Sequence, residues 1–398
     1  MIDLKRNINL FYALEVFRAL IFTNAVWVAF ELNYLTFIQF TIIEGVIFTV
    51  QLLLELPTGA FADMFGRKNC VGLGYTACAL GYLVFAFSTN FQMFLIYAII
   101  VGIGESLISG AKEALVYDTL KELKQESIYT KINSKMGLIF QVVFAVATII
   151  GGFMAGIYFR LPMLAFAFFL LVSGIVCFAM VEPHIDSEKF SLKAYIQKTK
   201  DGVRQLVKNE HIKKVSLFYI LVGSISWACM LVFNNTLLTD LKYTAVELGI
   251  TLAAIRLINS LALFRFLNVG KYFNRKRAYI FFPILMIISL LPGVFLTKWI
   301  AIPFIAGSMM ASTARWVILG KYTNDEFDSG SRATAISALS MAIGILYIIF
   351  VFASGPVIEY FGDTRAMFTI LGFISLIFVL PLGIDLAKNH SHDKVSGE

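Results

Sequence analysis

Twelve stretches of about twenty apolar residues leave this chain very few ways to fold. They fall at roughly 10–31, 36–57, 70–88, 91–118, 136–158, 161–181, 214–238, 246–268, 278–296, 299–321, 333–358 and 366–386. A helix of that length crosses the hydrocarbon core of a bilayer while satisfying its own backbone hydrogen bonds. A soluble domain has no use for so much apolar surface. The chain is 59% hydrophobic and only 15% charged, against roughly 45–50% and 25% in soluble proteins. The spacing predicts an all-α membrane protein with twelve transmembrane helices in two six-helix halves. Most connections are short, which suits antiparallel neighbours. The long one sets the expected boundaries: an N-terminal bundle over residues 1–181, a cytoplasmic linker over 182–213 and a C-terminal bundle over 214–398.

The linker carries Leu192, Tyr195, Ile196, Val203, Leu206 and Val207 at helical spacing, with Lys193, Lys198, Lys200, Arg204 and Lys208 between them. That pattern fits a basic amphipathic helix on a membrane surface, or a solvated basic linker. The net charge of +7 is a matter of topology. With both termini in the cytoplasm, the inner segments collect most lysines and arginines, and the outer loops hold only Arg160, Lys242, Lys298 and Arg365. Basic residues favour the inner side, so a nucleic-acid partner is not expected. The first run follows Lys5 and Arg6 but lacks a small-residue cleavage site, so it reads as a retained first helix.

Other signals are weak. Cys70, Cys78, Cys177 and Cys229 lie in or beside apolar runs without metal-ligand spacing, and read as packing residues. His390-Ser391-His392 reads as a tail. No P-loop is present, which argues against ATP-driven transport. No nucleophile-base constellation points to an enzyme, and neither a metal nor a cofactor is expected.

The informative residues are charges inside the runs. A charge at the centre of a membrane helix costs roughly 2.5–3.5 kcal/mol on insertion scales, so such residues face protein or water. They are Glu15 and Arg18 in the first run, Glu44 and Glu55 in the second, Glu105, Lys112 and Glu113 in the fourth, Arg256 and Arg265 in the eighth, and Arg315 in the tenth. Helical spacing puts Glu44, Gln51 and Glu55 on one face. It does the same for Glu105, Ser109 and Lys112, for Arg256 and Asn259, and for Ser308, Ser312 and Arg315. Arg265 sits near a helix end and snorkels. Glu15 and Arg18 are three residues apart, so they either pair with each other or contact substrate. Acids gather in the first half, and only arginines stand inside the helices of the second. A cavity between such halves suits a zwitterionic or anionic organic substrate, unless the charges pair across it.

Between the second and third runs stands Gly59-Ala60-Phe61-Ala62-Asp63-Met64-Phe65-Gly66-Arg67-Lys68. As a short loop reading G-x-x-x-D-x-x-G-R-K, it resembles the signature of the major facilitator superfamily, whose members are secondary transporters with twelve helices in two similar halves. The third, sixth, ninth and twelfth runs have no interior charge, and in that family the corresponding helices lie outside against lipid. The resemblance implies that Gly59, Asp63, Gly66, Arg67 and Lys68 form a cytoplasmic latch, with Arg67 reaching Asp118 at the end of the fourth helix. A degraded copy, Asn274-Arg275-Lys276, follows the eighth run, with Lys271 in place of the acid. Weak internal symmetry of this kind marks transporters built from repeats.

Two features depart from the drug-proton antiporters of the family. The fourth run lacks an arginine in Tyr97-Ala98-Ile99-Ile100-Val101-Gly102. The fifth keeps only Gly151-Gly152 of the usual glycine-proline motif, although Gly152 and Gly156 still allow close helix packing. The lead-in Glu55-Leu56-Pro57-Thr58-Gly59 is similar to bacterial efflux members. The resemblance implies a monomeric transporter of the cell membrane, exporting small organic compounds or drugs against protons by alternating access. Alternatives are a proton symporter importing an organic acid, amino acid or similar nutrient, and, from another class, an uncoupled lipid flippase or transporter-like receptor. Without a histidine in a membrane run, proton coupling falls to carboxylates, Glu105 first, then Glu44 and Glu15.

Overall fold

The computed structural model describes residues 4–183, 192–266, 274–327 and 331–392, and no strand occurs among them. Ten helical stretches there are long and apolar enough to cross a bilayer, and Ala301–Ala314 is a shorter apolar helix. The first apolar run is not one helix, contrary to the expectation from hydropathy. Helix α1 (Lys5–Arg18) stops, a 3-10 turn follows at Phe22–Ala25, and α2 (Trp27–Leu32) resumes. The break brings the Phe22 carbonyl against Gly151, where a Cβ would overlap the oxygen.

Helix α3 (Phe37–Phe65) starts at a capping box, in which Thr36 and Gln39 each accept from the other's backbone N–H. It then continues through most of the segment read from sequence as a loop. Only Gly66, at φ 88°, separates it from α4 (Arg67–Phe87). The fourth run is also divided, into α5 (Phe91–Ile108) and α6 (Ala111–Glu122), at Ser109 and Gly110. Gly110 has φ 74°, a left-handed value that interrupts the helix. The long α7 (Tyr129–Ile157) and α8 (Leu161–Phe178) complete this part of the chain. Gly156 of α7 does not serve close packing, since a Cβ there meets nothing within 4 Å.

The linker contains α9 (Leu192–Leu206). A Cβ on its Gly202 would lie 2.7 Å from the Thr334 carbonyl, and Leu206 is buried. Part of this helix therefore rests on protein, where sequence alone suggested a membrane surface or solvent.

Next come α10 (Glu210–Ala228), a π turn at Cys229–Phe233, α11 (Asn234–Asp240) and α12 (Ala245–Phe266). After α13 (Arg275–Leu290), α14 (Ala301–Ala314) passes through a π turn at Arg315–Leu319 into α15 (Gly320–Asp325). Helix α16 (Arg332–Phe361) precedes α17 (Thr364–Ile374), a π turn at Ser375–Val379 and α18 (Leu380–His392). Packing divides the chain into two units. One is Met1–Tyr195 with Thr244–Ala253, the other Ile196–Tyr243 with Ala254–Glu398. In the first, α4 packs on α5 and α8; in the second, α10 packs on α16 and α13 on α14 and α18. The four cysteines are free and buried.

Local structure repeats along the chain. The capping box at Thr36 recurs at Thr244, whose hydroxyl and backbone N–H both meet Glu247. Arg67 opens α4 as Arg275 opens α13. Each second copy lies 208 residues after the first (244 minus 36, 275 minus 67). The same offset carries the 3-10 turn at Phe22–Ala25 onto the π turn at Cys229–Phe233, and Ser109-Gly110 onto the π turn at Arg315–Leu319. The same two helices of each half are thus irregular at matching points, broken in the first copy and widened in the second.

Candidate functional site

Discontinuous helices place polar groups at membrane depth without losing the span, and three of the charges within the apolar runs stand beside these irregular points. Arg18 is the last residue of α1, Lys112 follows Gly110 by two residues, and Arg315 opens its π turn. In the first unit the centre is Glu15, 1% exposed. Its carboxylate accepts from Arg18 Nε at 2.6 Å and from Lys112 Nζ at 3.0 Å. The Arg18 guanidinium also lies 4.4 Å from the centre of the Phe140 ring. Burying a lone charge costs several kcal/mol after relaxation, so the carboxylate and its two cations persist only together.

Glu105 belongs to the rim of this cluster. It is exposed, and the cations acting on it are Arg18 and Lys112. Its Oε1 lies 3.9 Å from the Cys78 thiol. Glu105, Ser109 and Lys112 do not share one continuous helix, because Gly110 breaks it; Ser109 is exposed at the break. On α3, Glu44 and Gln51 are half-buried and Glu55 is exposed. Glu31 was missing from the candidates. It is fully buried, neither carboxylate oxygen has a hydrogen-bond partner, and Glu44 is its charged neighbour. Rings of Phe30, Tyr34, Phe85 and Phe94 gather around that end of the unit. The available signal was a carboxylate inside the apolar Trp27–Leu32 segment, hidden by its place at the end of a run.

In the second unit, Arg256 is half-buried, Arg265 is exposed, and Asn259 donates to the Ala306 carbonyl at 3.0 Å. Ser308, Ser312 and Arg315 are all buried. Ser308 donates to Asn234 Oδ1 at 2.9 Å, and the Ser312 hydroxyl meets the Met230 sulfur at 3.3 Å. The stripe thus faces α11 and the π turn before it.

At the helix ends, Arg67 forms an ion pair with Asp118 and donates to the Ala114 carbonyl at 3.2 Å. Lys68 Nζ donates to the Met180 carbonyl at 2.9 Å. Gly59 and the Asp63 side chain lie outside the described residues, as does Lys271. Sequence reasoning missed Glu182, whose two oxygens accept from the Arg67 and Lys68 backbone N–H groups at 2.6 and 2.9 Å. A carboxylate there meets both unsatisfied donors and the positive end of the helix dipole. The second half repeats the ion pair. Arg275 Nη1 lies 2.5 Å from Glu326, which stands 208 residues after Asp118. His211 is 3.3 Å from the same carboxylate.

Buried charges in a multi-pass helical chain, with paired arginines at repeated helix ends, suit a membrane transporter. Residues 13–313 match the Major Facilitator Superfamily, and the chain belongs to that family of transporters. Multidrug resistance protein 2 of Bacillus subtilis (strain 168) is 25% identical over 167 residues, covering 41% of this chain and 40% of that protein. The fold is similar to that of the nucleoside transporter NupG, with TM-score 0.75 and 13% identity over 96% of this chain and 98% of that one. It is also similar to a bacterial homologue of the human lysosomal transporter Spinster, inward-facing and unoccupied, with TM-score 0.74 and 14% identity over 98% of each chain.

Proposed function

We propose that this chain is a proton-coupled exporter of small organic compounds, working as a monomer in the cell membrane by alternating access, with both termini and α9 on the cytoplasmic side. The observation that carries the proton-coupling part is the buried carboxylate cluster of the first unit. Glu15 holds Arg18 and Lys112 together, and Glu105 stands at its exposed rim, acted on by the same two cations. A carboxylate that gains or loses those cations as the helices move takes up or releases a proton. Glu15, doubly paired, acts as the fixed anchor, and Glu105 as the carrier. Glu31 and Glu44, two neighbouring carboxyls, offer a second place for a proton. The partial likeness to a multidrug resistance protein supports export of organic compounds. The Arg67, Asp118 and Glu182 contacts supply the conformational latch, which biases one state over the other.

The test uses purified protein in vesicles under an imposed pH gradient, with a panel of fluorescent organic dyes. Dye accumulation in inside-out vesicles is expected to follow the proton gradient and to vanish in Glu105→Gln, while dye exchange survives. Uptake in the opposite direction would indicate a symporter, and gradient-independent flux an uncoupled flippase. A Gln variant that concentrates dye with normal pH dependence removes Glu105 as carrier.

A further inference from the structure

Among the described residues Arg315 is the largest fully buried side chain, at 0% exposure. It stands 16 residues into the tenth apolar run and six from its end. None of its three guanidinium nitrogens has a hydrogen-bond partner, and among the described residues no ion pair includes it. Its polar neighbour is the Tyr219 hydroxyl. The interiors of α10, α11, α14 and α15 contain no carboxylate; their acids stand at the ends, as Glu210, Asp240 and Asp325.

Three rings surround the charge. The guanidinium carbon lies 4.5 Å from the ring centre of Trp316, 5.4 Å from that of Tyr219 and 5.8 Å from that of Trp227. Gly223 leaves room for it, since a Cβ there would come within 3.1 Å of Nη1. Tyr219, Gly223 and Trp227 are four residues apart on α10, so one face of that helix is shaped around the arginine. Rings attract a cation through their faces. Beyond the Tyr219 hydroxyl they offer no acceptor for the N–H groups, which lie in the guanidinium plane and form a fork matched to a carboxylate, sulfonate or phosphate. Two turns along, beside Ser308, Asn234 Nδ2 is a further buried donor without an acceptor.

We infer that Arg315, with Tyr219, Trp227 and Trp316, is the recognition point for an anionic group carried on an aromatic or similarly flat substrate. The rings take the flat part and the guanidinium edge takes the anion in two parallel hydrogen bonds. The inference rests on the transporter reading only for the word substrate, because binding is measurable without transport.

The experiment is calorimetric binding to the purified full-length chain in neutral detergent. The probes are 2-naphthoate, 2-naphthalenesulfonate and 2-naphthyl phosphate, with 2-naphthamide as the uncharged control. At least one anion is expected to bind about tenfold more tightly than the amide, the ratio that one charge-assisted contact typically supplies. Arg315→Met should erase that preference, and Arg315→Lys should keep part of it, because an ammonium retains the charge but loses the fork. Without ligand, Arg315→Met should melt no lower than the wild type, since it removes a charge that lacks a partner. Three results overturn the inference: no anion preferred over the amide in the wild type, a preference that persists in Arg315→Met, or displacement of the probe by phosphatidylglycerol, which assigns the anion to a lipid headgroup. If proton-driven transport of neutral or cationic dyes is found without anion binding, the transporter reading stands and this one falls.

Discussion

Glu182 offers a sharp test of how the end of α4 is held. Replacing it by Gln keeps one acceptor oxygen and removes the charge. The two backbone N–H groups of Arg67 and Lys68, now at 2.6 and 2.9 Å from a carboxylate, would share a single neutral carbonyl. A capping contact is worth about 0.5–2 kcal/mol, and a charge at a helix N-terminus about 0.3–1 kcal/mol, more when partly buried. The expected loss is about 1–2 kcal/mol, confined to the first turn. That turn protects Cys70, which is fully buried and whose N–H donates to the Gly66 carbonyl at 3.1 Å. Alkylation of Cys70 by N-ethylmaleimide requires the turn to open, so its rate follows the opening equilibrium when closing is fast. A loss of 1–2 kcal/mol corresponds to about a 5–30-fold acceleration. Peptide-level mass spectrometry would follow Cys70 beside Cys78, Cys177 and Cys229, all buried. Wild-type kinetics at Cys70 would refute the capping role. Equal acceleration of all four cysteines would show global unfolding instead.

Three further outcomes are expected. Glu15→Gln should lower stability by about 3–5 kcal/mol, because it leaves Arg18 and Lys112 beside a neutral group; thermal melting should show the fall, and adding Lys112→Met should recover part of it. Gly151→Ala should fail to fold or melt far lower, since its Cβ overlaps the Phe22 carbonyl, whereas Gly156→Ala, with nothing within 4 Å, should melt at or above the wild type; equal melting of the two variants would contradict the packing of α7. Arg67→Ala, Asp118→Asn and Glu326→Gln should each reduce dye flux in vesicles strongly while leaving membrane insertion intact, and normal flux in all three would remove the latch from the mechanism.

Much of this fold was legible because lipid imposes a length on each apolar run. The Arg67–Asp118 contact was suggested by the family resemblance of the Gly59–Lys68 segment, which implies an acid at the end of the fourth helix. Glu182 was not, because its partner lies 115 residues away, and a carboxylate after an apolar run looks like any solvated acid. Glu31 escaped for a related reason: at the edge of a hydropathy window, a buried carboxyl and a boundary residue have the same appearance. Interrupted helices were the least legible. The first run keeps its hydrophobicity across the 3-10 turn at Phe22–Ala25, and hydropathy has no term for backbone geometry. The Ser109-Gly110 break did carry a signal, since glycine accepts the left-handed φ, yet helical spacing across it suggested a continuous stripe. Arg315 was found by its charge, but two of its rings stand on α10, and nothing in the sequence pairs that helix face with the Arg315–Leu319 turn.

A π turn is an α-helix carrying one residue more than its hydrogen-bond ladder requires. The turn at Arg315–Leu319 is therefore a site where the chain can change length by one without opening a loop. Deleting a single residue there would let α14 and α15 fuse into a straight helix, turned by about 100° on one side of the join. Arg315 and its rings stand at the start of that turn, and the pairing of Arg275 with Glu326 lies beyond its end. A one-residue insertion or deletion would uncouple their orientations while leaving hydropathy almost unchanged. Relatives aligned without gaps across this turn should place an arginine against the same three rings. Relatives with one residue fewer should present a different face there, and with it a different range of cargo.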